Sequence, residues 1–173
     1  MNKKIMYIIT ILSTAVLLFL DQIAKYLAVL HLKGQAAIPI IKNVFELQYL
    51  ENQGAAFGIM QGKKTFFVIG TLIFLVIVVI LYHNIPLTKR FTPIRIVAVL
   101  IIAGAIGNMI DRVVHQYVID FFYFKLINFP IFNVADIYVV VACILFILLM
   151  LFYYKEEELG QIFPFMKSKK AEE

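Results

Sequence analysis

The sequence predicts a mainly α-helical membrane protein with four transmembrane helices and a small extracytoplasmic β-sheet. Three observations lead there. Hydrophobic residues make up 62% of the 173 positions and charged residues only 16%, more apolar material than a soluble domain of this size uses. The apolar residues gather in four long runs. Aspartates stand at the edges of those runs: Asp21, Asp111, Asp120 and Asp136. A carboxylate at the margin of hydrocarbon is costly to keep charged and is rarely placed there without a partner or a task.

The first span covers about 5–25, its apolar run from Ile5 to Leu20 extended by helix through Asp21 and Lys25. The others cover about 66–82, 94–110 and 137–154. Each apolar run is somewhat shorter than the roughly 20 residues that cross a bilayer core, so flanking residues must lengthen it. The segment Met1 to Leu20, with Lys3 and Lys4 at its head, imitates a signal peptide. Nothing like Ala-x-Ala follows it, so it reads as a retained first span. The expectation is one integral membrane domain over 1–173, with outer-face loops at 31–65 and 112–136.

Net charge is +5 and the pI about 9.3. The basic residues lie in short connections and the tail, which points to orientation in a membrane rather than to nucleic acid. The N-terminus, the 83–95 connection and the C-terminal tail hold nine of the 16, namely Lys3, Lys4, Lys89, Arg90, Arg95, Lys155, Lys167, Lys169 and Lys170. Lys63 and Lys64 oppose the bias. The balance favours both termini in the cytoplasm, which sets Asp21, Asn52, Asp120 and Asp136 on the outer face.

Between the first two spans, Phe45, Leu47 and Tyr49 alternate with Glu46 and Gln48, the period of a half-buried strand. Val118 to Phe124 is β-branched and aromatic and reads as extended, and Pro130 bars a longer central strand. Together they predict a small sheet on the outer surface, its aromatic face towards lipid. The tail from Lys155 is charged and is expected to fray.

The candidate chemistry lies in the carboxyl groups. Asp120 is flanked by apolar residues in Val118-Ile119-Asp120-Phe121-Phe122, and Asp136 opens the fourth span. If the two approach, they share a proton, because like charges a few Å apart cannot both ionise. One then acts as base on water while the other protonates a carbonyl oxygen. The alternatives are a helix cap for Asp136 and a sheet-edge charge for Asp120. Gly104, Asn108 and Arg112 are four apart and share a helix face, suited to close helix packing and to donors at the interface, or to a plain Arg anchor. Asn52-Gln53-Gly54-Ala55-Ala56-Phe57-Gly58 is a small-residue turn, either a loop or a backbone cradle for a ligand. Asp21 and Lys25 have helical ion-pair spacing.

Other chemistries find little support. Cys143, the single cysteine, allows no internal disulfide and reads as a buried core thiol. His31, His83 and His115 are scattered without metal-ligand spacing, and there is no Gly-x-Ser-x-Gly. No cofactor and no metal are expected.

These pieces together resemble bacterial lipoprotein signal peptidase, the signal peptidase II family. They are Asp21-Gln22-x-x-Lys25, Asn52-x-Gly54-Ala55-Ala56-Phe57-Gly58, Gly104-x-x-Gly107-Asn108-x-x-Asp111-Arg112, Val118-Ile119-Asp120-Phe121 and Phe132-Asn133-Val134-Ala135-Asp136, in order over residues 21 to 136. The resemblance implies an aspartyl endopeptidase that cuts prolipoproteins just before a diacylglyceryl-modified cysteine. By the same resemblance Asp120 and Asp136 are the catalytic pair. Asp21, Asn52, Gly54, Asn108, Arg112 and Asn133 line the site and position substrate, and Lys25 and Asp111 support it. A multi-pass protein of the bacterial cytoplasmic membrane follows, with its site and a sheet cradle at the outer face. The partners would be diacylated prolipoproteins and membrane lipid. Two other classes remain open: a small proton-coupled transporter or channel with the aspartates as relay, which calls for carboxyl groups near mid-membrane, and a non-catalytic scaffold.

Overall fold

The computed structural model describes residues 2–54 and 64–163. Ala55 to Gly58, the second half of the small-residue turn, and the basic residues after Phe163 lie outside them. Four helices are long and apolar enough to cross a membrane, and a three-stranded antiparallel sheet sits beside one end of the bundle.

Helix α1 spans Lys3–Leu32, capped by the Asn2 side chain, which accepts from Lys4 N. Its 30 residues make a rod of about 45 Å, well beyond a bilayer core of about 30 Å. The end beyond Asp21 is therefore free to carry other structure. Strands β1 (Ile38–Ile41) and β2 (Phe45–Asn52) follow, then α2 (Lys64–Asn84) and α3 (Thr92–His115). Pro93 sits in the first turn of α3, where its missing N–H costs nothing, and Gln116 ends the helix at φ 72°. Strand β3 (Val118–Tyr123) pairs with β2, and α4 (Val134–Leu148) closes the bundle through a wider turn at Leu149–Tyr153.

Small residues let the helices meet. Ala103, Ala135 and Ala142 are wholly enclosed. A Cβ on Gly104 would stand 2.6 Å from the Ala135 carbonyl oxygen, and one on Gly107 would stand 2.6 Å from Asp21 Oδ2. Both glycines are required by close approach, which is how helices associate where lipid removes the hydrophobic drive. The outward faces carry large apolar groups such as Ile11, Phe19, Ile73 and Leu151. Such a belt has no place on a soluble monomer.

Three expectations change, and one strand is added. Cys143 is exposed on α4 and faces away from the bundle; in a membrane helix the lipid face is as apolar as the core, so composition does not tell them apart. The segment after Lys155 does not simply fray: Glu156–Ile162 forms α5, with Leu159 and Ile162 buried in one cluster with Tyr82 and Phe91. Arg90 holds it through a two-pronged pair with Glu158, at 2.8 and 3.1 Å. The sheet's Leu47 and Tyr49 do not face lipid but pack against Ala28, Leu32, Ile119 and Phe121, because the overlong α1 offers them an apolar surface. Glu46, on the opposite face, is the enclosed residue of β2 and pairs with Lys125 at 3.2 Å. Strand β1 had no expected counterpart; its Ile-Pro-Ile-Ile run lacks alternation and is exposed throughout, with Pro39 tolerated on an edge.

Candidate active site

Four elements place the two candidate carboxyl groups on one cleft. Pairing of β2 with β3 sets Leu50 opposite Asp120 and Asn52 opposite Val118. The chain then bridges Phe122 to Phe132 and enters α4, where Asn133 is the N-cap and Asp136 the third helical residue. Helix α3 supplies Asn108 and Arg112 from the face it shares with Gly104. Asp120 and Asp136 both line one cleft of ≈ 480 Å³. Its polar lining includes Asn52, Asn108 and Arg112, and its apolar lining includes Phe124, Phe129, Phe132, Val140 and Val141.

Each carboxylate is held by two donors. Asp120 accepts from Asn52 Nδ2 at 2.8 Å and from Asn133 Nδ2 at 2.6 Å. Asp136 accepts from Asn108 Nδ2 at 2.7 Å and from the Asn133 backbone N–H at 3.0 Å. The orientation of each asparagine is fixed from its other end. Gly54 N donates to Asn52 Oδ1, Asp136 N donates to Asn133 Oδ1, and Lys25 Nζ donates to Asn108 Oδ1. A donor on the oxygen forces the amide NH₂ to the opposite side. Three amides are thus aimed at the two acids by groups that cannot accept.

A buried charged layer adjoins this one. Lys25 Nζ lies 2.9 Å from both Asp21 Oδ2 and Asp111 Oδ2, all three side chains being at most 2% exposed. Charges this deep are costly unless every lone pair is met. Asp21 Oδ1 takes the Ala135 N–H at 2.9 Å, Asp111 Oδ2 takes the Ile119 N–H at 3.1 Å, and Gln22 donates to both carboxylates. The layer therefore ties the starts of β3 and α4 to α1 and α3.

Electrostatics separate Asp120 from an ordinary carboxylate. Burial, and then repulsion from Asp136, push its pKa up to about 7 against the opposing pull of the Asn52 and Asn133 donors. Asp120 is therefore partly protonated near neutral pH.

Several sequence readings resolve here. Asp136 is part of a helix cap, since its Oδ2 closes a reciprocal capping box with Asn133, yet its Oδ1 faces Asn108 and its side chain lines the cleft. Capping the helix thus leaves Asp136 facing the cleft. Asp120 is 1% exposed and cannot act as a sheet-edge charge. Arg112 lines the cleft, donates to the carbonyls of Asn108 and Gly54 at 3.3 and 3.4 Å, and lies 4.9 Å over the Phe67 ring. Asp21 and Asn133 differ from expectation: both are wholly enclosed and stand behind the cleft wall, because protein groups consume all their polar atoms. Gln22 went without a role in the sequence, although its place between Asp21 and Lys25 hinted at one. The aromatic side of the cleft was signalled only by the density of phenylalanine between 121 and 132.

Comparison with known proteins agrees with this architecture. A family model described as signal peptidase (SPase) II matches residues 13–152. The lipoprotein signal peptidase of Caldanaerobacter subterraneus subsp. tengcongensis is 44% identical over 136 residues, covering 78% of this chain and 90% of the relative. That of Clostridium novyi is 43% identical over 131 residues, covering 74% and 87%. A solved bacterial membrane enzyme superposes with a TM-score of 0.71 at 34% identity, covering 82% of this chain and 87% of its own.

The family model, the relatives and the four apolar helices make this a multi-pass bacterial membrane peptidase. The chain belongs to the signal peptidase II family.

Proposed function

We propose that this chain is an aspartic endopeptidase that removes the signal peptide from prolipoproteins, cutting just before a diacylglyceryl-modified cysteine. The observation that carries the reading is the pair Asp120 and Asp136 lining one cleft, each oriented by two donors. In the proposed reaction one carboxylate takes a proton from water as the oxygen attacks the scissile carbonyl carbon. The protonated partner gives its proton to the carbonyl oxygen. The resulting gem-diol collapses, the C–N bond breaks, and the amine of the cysteine leaves with a proton from the dyad. The apolar lining from Phe124 to Val141 suits the acyl chains, whose burial contributes binding free energy. Asn52, Gly54, Asn108 and Arg112 are proposed to contact substrate. Asn133 and Asp21 orient the pair from behind, with Lys25 and Asp111 as support.

The reading includes one integral membrane domain with both termini in the cytoplasm and the cleft at the outer face. It rests on the basic-residue balance and on the position of both aspartates at span ends. The decisive experiment is cleavage of a diacylated prolipoprotein by purified protein. Asp120→Asn and Asp136→Asn should each nearly abolish it with folding intact, and the double variant should be little worse than either, since residues acting as a unit are not additive. EDTA should leave the wild type unaffected. Substantial activity in either Asn variant would remove the two-aspartate mechanism.

A further inference from the structure

A second groove, of ≈ 600 Å³, lies between the first half of α1 and the first half of α3. Its walls include Ile9, Leu12, Val16, Ile96, Val99 and Leu100. Among this apolar lining stands one cation, Arg95, only 6% exposed. Its guanidinium nitrogens donate to the carbonyls of Ile85 and Thr88, both at 3.4 Å, and of Pro86. Its buried Nε has no acceptor, and among the described residues Arg95 forms no ion pair. Thirteen residues of α3 separate it from Asn108, about 20 Å along the helix, so the groove belongs to the membrane face opposite the aspartates.

An enclosed cation with an unmet N–H is costly, and the cost falls when an anionic oxygen arrives. The groove is within the roughly 300–1,000 Å³ of small-molecule sites and lies on spans that the bilayer surrounds. A free phosphate ion would meet the cation and leave the apolar walls bare. A molecule with a long hydrocarbon chain and a negative head meets both, and the surrounding leaflet supplies it.

We propose that this groove binds one anionic phospholipid, an acyl chain lying between α1 and α3 and its phosphate seated beside the Arg95 guanidinium. Native mass spectrometry of the full-length chain in detergent, with dioleoylphosphatidylglycerol and dioleoylphosphatidylcholine as probes, tests it. The wild type should retain the anionic lipid about tenfold better, the lower end of what a hydrogen bond to a charged group contributes. Arg95→Gln should bring that ratio near one, while Lys89→Gln, on the neighbouring surface, should leave it unchanged. Ser13→Phe, which fills the groove and leaves Arg95 in place, should reduce lipid retention while prolipoprotein cleavage persists. Equal retention by the wild type, a preserved ratio in Arg95→Gln, a ratio lost equally in Lys89→Gln, or undiminished retention in Ser13→Phe overturns the proposal. Should Arg95→Gln fail to fold, the Ser13→Phe and Lys89→Gln results decide.

Discussion

The side-chain amide of Asn133 stands 2.6 Å from Asp120 Oδ1 because its own carbonyl oxygen is claimed by the Asp136 N–H at 3.1 Å. One residue thus caps α4 and orients an acid on a different strand. The two tasks separate by substitution. Asn133→Ser retains a helix cap but is too short to reach Asp120. Thermal stability should stay close to wild type while cleavage falls about tenfold, the scale of one hydrogen bond to a charged group. Losing a donor to the carboxylate raises its pKa, so the alkaline limb of the pH–rate profile should also move upward. An unchanged profile would mean that Asn133 serves only as a cap.

Asp120 titrates at about 7, well above an ordinary carboxylate. Its native form holds a proton that the unfolded chain releases near pH 4. Its contribution to stability is therefore fully present below pH 4 and is lost as pH rises through 7. Asp120→Asn removes the buried charge altogether, so its gain in Tm over wild type should be larger at pH 8 than at pH 5. Cleavage by the wild type should decline as pH rises past about 7. The first comparison is made by thermal unfolding in detergent at the two pH values. Equal Tm differences at both would show that Asp120 is an ordinary acid.

Lys25 is the cation between two enclosed carboxylates. Lys25→Met leaves both unpaired, which should destabilise the protein by roughly 3–5 kcal/mol. Adding Asp21→Asn and Asp111→Asn should recover part of that loss. Unfolding midpoints across the series test this; a stable single variant would show that the layer is hydrated.

Gly104 and Gly70 make a matched pair. A Cβ at Gly104 meets the Ala135 carbonyl oxygen at 2.6 Å, whereas at Gly70 nothing lies within 4 Å. Gly104→Ala should cost about 1–3 kcal/mol, the range of overpacked cores, and should lower cleavage by displacing the turn that carries Asp136. Gly70→Ala should be neutral in both. If both variants behave alike, the close approach of α3 and α4 is not what positions Asp136.

Arg112 spreads its guanidinium between the Gly54 and Asn108 carbonyls and over the Phe67 ring. Lysine offers a compact point charge without the planar fork. Arg112→Lys should reduce kcat/KM for prolipoprotein about tenfold, on the scale of such hydrogen bonds, with stability little changed. Near-normal kinetics would reduce Arg112 to a membrane anchor.

The four spans were legible because long apolar runs leave few alternatives, and Asp21 with Lys25 because helical spacing brings them together. Strand β2 showed its period, but which side faces the protein depended on α1 extending far enough to offer Ala28 and Leu32. Cys143 and α5 escape the sequence for different reasons: an apolar residue in a membrane helix carries no mark of which neighbour it meets, and a charged tail hides Leu159 and Ile162. At the site, the residue types were visible in sequence. What sequence could not give was hydrogen-bond direction, because the aim of Asn52, Asn108 and Asn133 depends on Gly54, Lys25 and Asp136 occupying their oxygens.

The buried layer of Asp21, Lys25 and Asp111 bears on biogenesis. Helix α1 emerges from synthesis before α3 and carries an acid and a base four residues apart, so it enters the bilayer with a nearly neutral pair. Helix α3 arrives later with Asp111, whose ion-pair partner among the described residues, Lys25, lies on α1. Its counter-ion already waits on α1. Docking of the third span against the first is thus the step that gives Asp111 its cation.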